Sequence, residues 1–256
     1  MAYDIQKVLE VAFGEVGYLE KANNSNLDDK TANAGSGNYT KYARDLDALG
    51  FFNGRKNGCA WCAVWVCWDF VRAYGVEGAK KLLCLPAKAA DNCAAGCKSA
   101  RNYFKAKGQL HDSPQVGDQV FFYSSDMSSI SHTGLVYMVD GNRVYTVEGN
   151  TSGASGVIAN GGGVCKKSYA LSYARLAGFG RPNYGTKTEA KQEAVSKPET
   201  ATNAEYTLYK VHKGDSLWKI AKAQLKNGNR YVEIKALNGL DSDLIKVGQV
   251  LKIPKA

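Results

Sequence analysis

Residues 61–74 have the sequence Trp-Cys-Ala-Val-Trp-Val-Cys-Trp-Asp-Phe-Val-Arg-Ala-Tyr, and Gly75 follows them. Apolar side chains would occupy nearly every side of a helix built from this stretch, as they do in a helix enclosed by other elements. A glycine just after the last turn is a common helix end. The stretch therefore predicts a buried central helix that ends at Gly75.

The elements around this helix change type along the chain. Two amphipathic helices are predicted before it, because apolar side chains recur at helical spacing in residues 5–16 and 39–49. Beyond about residue 115 the pattern predicts strands between Gly, Asp and Asn turns, at 119–123, 133–139, 143–148 and 176–179. Helices first and antiparallel strands afterwards are typical of an α+β domain whose sheet packs on the central helix.

A polar stretch follows this domain. Residues 183–204 contain almost no bulky apolar side chain and alternate Lys with Glu. Such a stretch cannot bury enough surface to offset its ordering entropy. We therefore predict a flexible linker at 183–204, between a first domain of residues 1–182 and a second domain of residues 205–256.

Charge and hydropathy limit the partners. The chain carries 33 Lys and Arg against 24 Asp and Glu, a net charge of +9, and residues 205–256 carry 10 against 5. This basic tail indicates an anionic partner. No aromatic-basic motif of a nucleic-acid reader and no run of ~18 apolar residues is present, so we expect neither nucleic acid nor a membrane as partner. We expect a monomer.

The cysteines leave two alternatives to plain packing. Seven are present, an odd number, and the first residues lack the pattern of a signal peptide, so we expect reduced thiols. Disulfides formed after release into an oxidising medium are one alternative. The spacings C-x2-C at Cys59 and Cys62 and C-x3-C at Cys93 and Cys97 overlap zinc-binding patterns, which is the other. We predict no metal and no other cofactor.

A cysteine hydrolase needs a thiolate and a nearby imidazole. Cys62 lies in the predicted first turn of the buried helix, where free N–H groups and the helix dipole favour a thiolate. Of the three histidines, His111 lies in a polar loop and His212 in the small second domain. His132 begins a core strand, which can hold its ring rigidly, so we predict the pair Cys62 and His132.

The group that orients the imidazole is expected on the next strand. Asp140-Gly-Asn142 predicts a hairpin, which brings Glu148 and Asn150 alongside His132. Either side chain can accept a hydrogen bond from an imidazole N–H, and strand alternation places both on one face. From spacing alone, the alternative that all four residues have structural roles stays open.

The first domain resembles the CHAP family, the cysteine, histidine-dependent amidohydrolases/peptidases. The resemblance rests on Ala-Trp-Cys62-Ala-Val-Trp-Val, Val-Gly-Asp-Gln-Val-Phe-Phe at 116–122, Ser-His132-Thr-Gly-Leu-Val and Val-Glu148-Gly-Asn150. It implies a papain-like fold, cleavage of peptidoglycan, and catalytic roles for Cys62, His132, Glu148 and Asn150. Some members bind calcium, but the acidic loop of those members is not evident here.

The second domain resembles the lysin motif, LysM. The resemblance rests on Gly-Asp-Ser-Leu-Trp-Lys-Ile-Ala at 214–221, Asn238, and Ile-Lys-Val-Gly-Gln-Val-Leu-Lys-Ile-Pro at 245–254. It implies a small βααβ fold that binds N-acetylglucosamine chains between two loops. The implied glycan-binding residues are Gly214, Asp215, Ser216, Leu217, Asp243, Leu244 and Ile245. Trp218 and Ile220 are expected in the core.

Together the two resemblances imply a peptidoglycan hydrolase similar to a phage or prophage endolysin, which binds both the glycan and the stem peptides of the wall. We expect an N-acetylmuramoyl-L-alanine amidase. The alternatives are an endopeptidase acting on stem peptide or cross-bridge, a papain-like protease of proteins, and a non-catalytic wall-binding protein. Without a recognised export signal, the expected location is the host cytoplasm until lysis and the cell wall afterwards.

Overall fold

The computed structural model describes residues 3–153, 162–185, 206–212, 214–238, 240, 245 and 248–255. The chain forms two compact units, Met1–Thr188 and Glu189–Ala256. The predicted linker begins at 183, but Tyr184 is buried in the first unit, where its hydroxyl donates to the Gly117 carbonyl at 2.8 Å. Packed structure therefore extends at least to Tyr184. The rest of the predicted linker, except Gly185, lies outside the described residues.

Four helices open the first unit: α1 (Ile5–Glu15), α2 (Lys41–Ala48), α3 (Cys62–Leu82) and α4 (Cys97–Ala106). Helix α3 is the predicted central helix. Its backbone leaves the helical conformation at Gly75 (φ 73°, ψ 172°), as predicted, but a second helical segment continues to Leu82. Within the described ranges, no helix is long and apolar enough to cross a membrane.

Six strands follow: β1 (Leu110–His111), β2 (Gln119–Tyr123), β3 (Ile130–Asp140), β4 (Arg143–Thr151), β5 (Gly163–Ala170) and β6 (Leu176–Gly180). They form one sheet in the order β1-β6-β2-β3-β4-β5, and every neighbouring pair is antiparallel. The predicted hairpin is present, with Asp140 opposite Arg143. Helices followed by an antiparallel sheet confirm the α+β class.

The sheet separates two apolar clusters. Leu135 of β3 and Val147 of β4 belong to the main core together with α3. Their chain neighbours Val136 and Thr146 pair with each other, and Val136 belongs to a second cluster. Successive strand residues point to opposite faces, which explains the division. The sheet is thus anchored on α3, so the start of that helix has a fixed position relative to β3 and β4.

The second unit is the predicted βααβ module. It consists of β7 (Tyr206–Lys210), α5 (Leu217–Leu225), α6 (Tyr231–Leu237) and β8 (Val250–Pro254), and β7 pairs with β8 antiparallel. Its apolar core includes Ile220, as predicted, with Trp218 packed against it. The Asn238 side chain donates to the Ile234 and Lys252 carbonyls and accepts from the Lys252 N–H. Asn238 therefore joins the end of α6 to β8.

Candidate active site

Cys62 is the first residue of α3. The residue before the helix, Trp61, makes no side-chain cap, so the N–H groups of the first turn are not occupied by a capping side chain. The backbone N–H of Ala63, in the same first turn, lowers the pKa of the Cys62 thiol. The sulfur is thus held where the positive end of the helix dipole favours a negative charge.

His132 lies near the start of β3, and its Nε2 is 2.9 Å from Oε2 of Glu148 on β4. The imidazole also interacts with Cys62, and this interaction raises the pKa of His132. The ring of Phe122 packs against the imidazole, with 5.7 Å between ring centroids. Three of the four predicted site residues, from three different elements, therefore lie together in the order sulfur, imidazole, carboxylate.

Glu148 is itself held by groups that the sequence did not single out. Its side chain is fully buried and accepts hydrogen bonds from the Thr146 and Tyr169 hydroxyls, the second at 3.2 Å. Gly134 lies beside it, and a Cβ on this glycine would be 2.5 Å from Glu148 Cγ. Thr146 was recognisable by strand alternation, two residues before Glu148. Tyr169 is on β5, which the sequence did not predict.

These contacts set the charges of the pair. The pKa of Cys62 lies well below its usual value, because hydrogen bonds from Cys97, His132 and Ala63 outweigh burial. Burial alone would lower the pKa of His132, but its hydrogen bonds to Cys62 and Glu148 raise it to about 10. Both shifts favour the pair of a Cys62 thiolate and a His132 imidazolium, and the buried Glu148 carboxylate contacts the imidazolium.

Asn150 does not show the predicted contact with the imidazole among the described residues. Its backbone has a left-handed conformation (φ 54°), and the pairing of β4 with β5 shifts register between Glu148 and Thr151. Strand alternation, on which the expectation for Asn150 rested, is broken at this point. In the described part of the chain its side chain makes no hydrogen bond to the imidazole, whereas Glu148 does.

Cys97, the first residue of α4, is a member of the site that the sequence did not assign to catalysis. Its sulfur lies 3.4 Å from the Cys62 sulfur, and both thiols are buried. From the sequence, three interpretations of Cys97 were open: packing in the core, a disulfide, or a zinc ligand. The two cysteines are 35 residues apart, and no local pattern links them, so their contact depends on how α4 packs beside α3.

The other five cysteines give no support to a zinc site. Cys59 and Cys93 are exposed, whereas Cys67, Cys84 and Cys165 are buried, and none of the five is in a disulfide. The Cys93 sulfur accepts a hydrogen bond from the Asn53 amide at 3.1 Å. In the part of the chain that is described, no three side chains of His, Cys, Asp or Glu are arranged to hold a metal ion.

The predicted glycan-binding residues of the second unit have varied surroundings. The Asp215 carboxylate accepts from the His212 N–H and the Tyr209 hydroxyl. Ser216 caps α5 by accepting from the Lys219 N–H.

Leu217 is 2% exposed, so its side chain belongs to the core and only its backbone can face a ligand. Gly214 is at the turn before α5 (φ 91°), and Ile245 packs against the core. Asp243 and Leu244 lie outside the described residues.

A thiolate at a helix start, an imidazolium on a strand and an orienting carboxylate are the arrangement of cysteine hydrolases, here on a helix-and-sheet fold. Comparison with known families gives the particular class. The CHAP domain matches residues 52–150, and the LysM domain matches residues 209–254. The chain therefore carries a CHAP domain followed by a LysM domain.

Individual proteins match less of the chain. Over 45 residues the chain is 62% identical to the probable peptidoglycan endopeptidase LytE of Bacillus subtilis (strain 168), which is 18% of this chain and 13% of that protein. The chain therefore spans a small part of this relative. A solved structure titled "The crystal structure of Ly7917" has 14% identity and a TM-score of 0.41, and the match covers 71% of this chain and 63% of that one.

Proposed function

We propose that the chain is a cysteine-dependent peptidoglycan hydrolase whose nucleophile is Cys62. The observation that supports this most is the contact series from the Cys62 sulfur through His132 to Glu148, with 2.9 Å between imidazole and carboxylate. The LysM domain supports the cell wall as substrate. A module that binds glycan raises the effective concentration of wall peptides at the catalytic unit.

In the proposed reaction the Cys62 thiolate attacks an amide carbonyl carbon, and backbone N–H groups at the start of α3 stabilise the oxyanion. The His132 imidazolium gives its proton to the leaving amine, and a thioester remains on Cys62. His132, now neutral, takes a proton from water, which hydrolyses the thioester and restores the thiolate. Glu148 keeps the imidazole oriented and stabilises its charged form.

Two classes of amide fit this chemistry. We propose cleavage between N-acetylmuramic acid and L-Ala, the amidase reaction, as the first hypothesis. The alternative is an endopeptidase. The name of the Bacillus subtilis protein, which matches this chain over 45 residues, favours this alternative. Mass spectrometry of digested peptidoglycan separates the two, because an amidase frees the L-Ala amino group and an endopeptidase exposes another residue.

Loss of turbidity of a cell-wall suspension tests the catalytic role of Cys62. We expect Cys62→Ala to abolish clearing and to leave binding to the wall unchanged. Cys59→Ala is the matched control, because Cys59 lies three residues earlier and is exposed. Clearing by Cys62→Ala at the wild-type rate contradicts the proposal. A folded wild-type protein that binds walls and clears none supports the non-catalytic alternative.

For the LysM domain we propose a glycan site formed by residues 214–217 and 243–245, with Leu217 contributing its backbone. The site binds N-acetylglucosamine chains, and the catalytic unit binds the stem peptides. The monomeric state and the location, host cytoplasm until lysis and cell wall afterwards, stay predictions from the sequence.

A further inference from the structure

The Cys62 sulfur has a second thiol beside it. The Cys97 sulfur is 3.4 Å away, within hydrogen-bond distance for two sulfur atoms, and both residues are buried. Ala63 and Ile130 complete the cluster around the two sulfurs. The Cys97 thiol is thus placed to donate to Cys62 from the side of α4, whereas His132 approaches from β3.

Only one of the two neighbouring thiols is expected to be deprotonated, and their positions on the helices do not decide which one. Cys62 begins α3 and Cys97 begins α4, so each has a helix N-terminus behind it. His132 makes the difference, because its positive charge favours a thiolate on Cys62. The pKa of Cys97 lies well above its usual value, because its hydrogen bond to Cys62 and burial both favour the protonated thiol.

The other titratable groups near the pair agree with this assignment. Cys67, on α3, is buried, and burial raises its pKa to a value at which it stays neutral. Glu148 hydrogen-bonds to the imidazole of His132. Cys97 is therefore the neutral donor and Cys62 the anionic acceptor, and a hydrogen bond to an anion is about twice as strong as one between neutral groups.

We propose that Cys97 is a positioning residue of the CHAP site, whose S–H group donates a hydrogen bond to the Cys62 thiolate and holds it as an anion facing His132. The catalytic consequence rests on the proposed hydrolase function. The state of the thiolate does not, because it can be measured without any wall substrate.

The test is the rate of Cys62 alkylation by iodoacetamide as a function of pH, in the full chain, with the modified cysteine located by peptide mass spectrometry. In Cys97→Ala we expect the midpoint of this profile to rise by about one pH unit, roughly tenfold less thiolate on the acid side. Cys97→Ser keeps a donor and is expected to restore the midpoint. Cys84→Ala removes a buried thiol elsewhere and is expected to leave the midpoint unchanged.

A midpoint in Cys97→Ala that equals the wild-type value overturns the proposal, as does an equal rise in the alanine and serine variants. If the alanine variant does not fold, as judged by circular dichroism, the serine variant decides alone. Its hydroxyl is the stronger donor, so a raised midpoint in Cys97→Ser contradicts the hydrogen bond. Failure of the wild-type protein to clear walls, with the alkylation results as expected, overturns the hydrolase proposal and leaves the role of Cys97 intact.

Discussion

The replacement Glu148→Gln tests how the buried carboxylate supports the imidazolium. Glutamine keeps the shape of the side chain but removes the charge that faces Nε2 of His132 at 2.9 Å. A hydrogen bond to a charged group contributes about 1.5–3 kcal/mol and one between neutral groups about 1 kcal/mol. The difference, about 0.5–2 kcal/mol, corresponds to a fall in the pKa of His132 of about half a pH unit to one and a half pH units, centred near one.

The sign of the pH effect follows from the required charges. His132 must be protonated to release the leaving amine, so loss of its proton sets the alkaline limit of activity. In the wild type the pKa of His132 is raised to about 10, which places that limit in the alkaline range. In Glu148→Gln we expect the alkaline limit to move to lower pH by about one unit, with a rate about fivefold slower at the pH of the wild-type limit and approaching tenfold slower above it.

The assay is the initial rate of wall clearing across a pH series, with Glu10→Gln, an exposed site on α1, as control. Thermal unfolding of each variant shows whether the fold is kept. An alkaline limit that is the same in the wild type and in a folded Glu148→Gln variant would refute the role of the carboxylate.

Three further predictions concern Gly134, the Asn238 amide and the Cys62–Cys97 pair. Gly134→Ala introduces a Cβ with a carbon neighbour at 2.5 Å, so we expect a loss of about 1–3 kcal/mol in the free energy of unfolding. The control Gly14→Ala has open space around the new Cβ and is expected to be neutral or stabilising. Denaturant titration compares the two variants. Asn238→Ala removes three hydrogen bonds of the LysM domain, and a wall-pelleting assay is expected to show weaker binding, with equal binding as the contrary result. A small-molecule disulfide is expected to form a mixed disulfide with the Cys62 thiolate and to release one of its two thiols. The Cys97 thiol then attacks the mixed disulfide, displaces the second thiol of the reagent and gives a Cys62–Cys97 disulfide. A dithiol reductant is expected to reverse this disulfide. Intact-mass analysis checks for the loss of two hydrogens, and a lasting adduct on Cys62 contradicts the exchange.

The sequence predicted the parts of the fold that depend on local pattern. The apolar stretch at 61–74 gave the central helix, Gly75 its break, and Asp140-Gly-Asn142 the hairpin that brings Glu148 to His132. These features depend on residues close together in the chain, where helical and strand periods differ clearly. The LysM elements were predictable for the same reason.

The features that could not be predicted from the sequence depend on residues far apart in the chain or on a local exception. Cys97 and Tyr169 reach the site from α4 and β5, which were not predicted, and no spacing rule connects them to Cys62 or Glu148. The local exception is at Asn150, where the expectation relied on strand alternation but the strand pairing shifts register. Tyr184 shows that a polar stretch can begin with a buried anchor.

The most direct measurement of the central claim is acid quenching of the full chain during turnover of purified peptidoglycan fragments, followed by peptide mass spectrometry. We expect an acyl fragment of the wall attached as a thioester to the peptide that contains Cys62, and no such adduct in His132→Ala, in which the charge partner of the thiolate is absent. Release of new amino groups by Cys62→Ala at the wild-type rate, with no acyl group on Cys62 in the wild type, would contradict it.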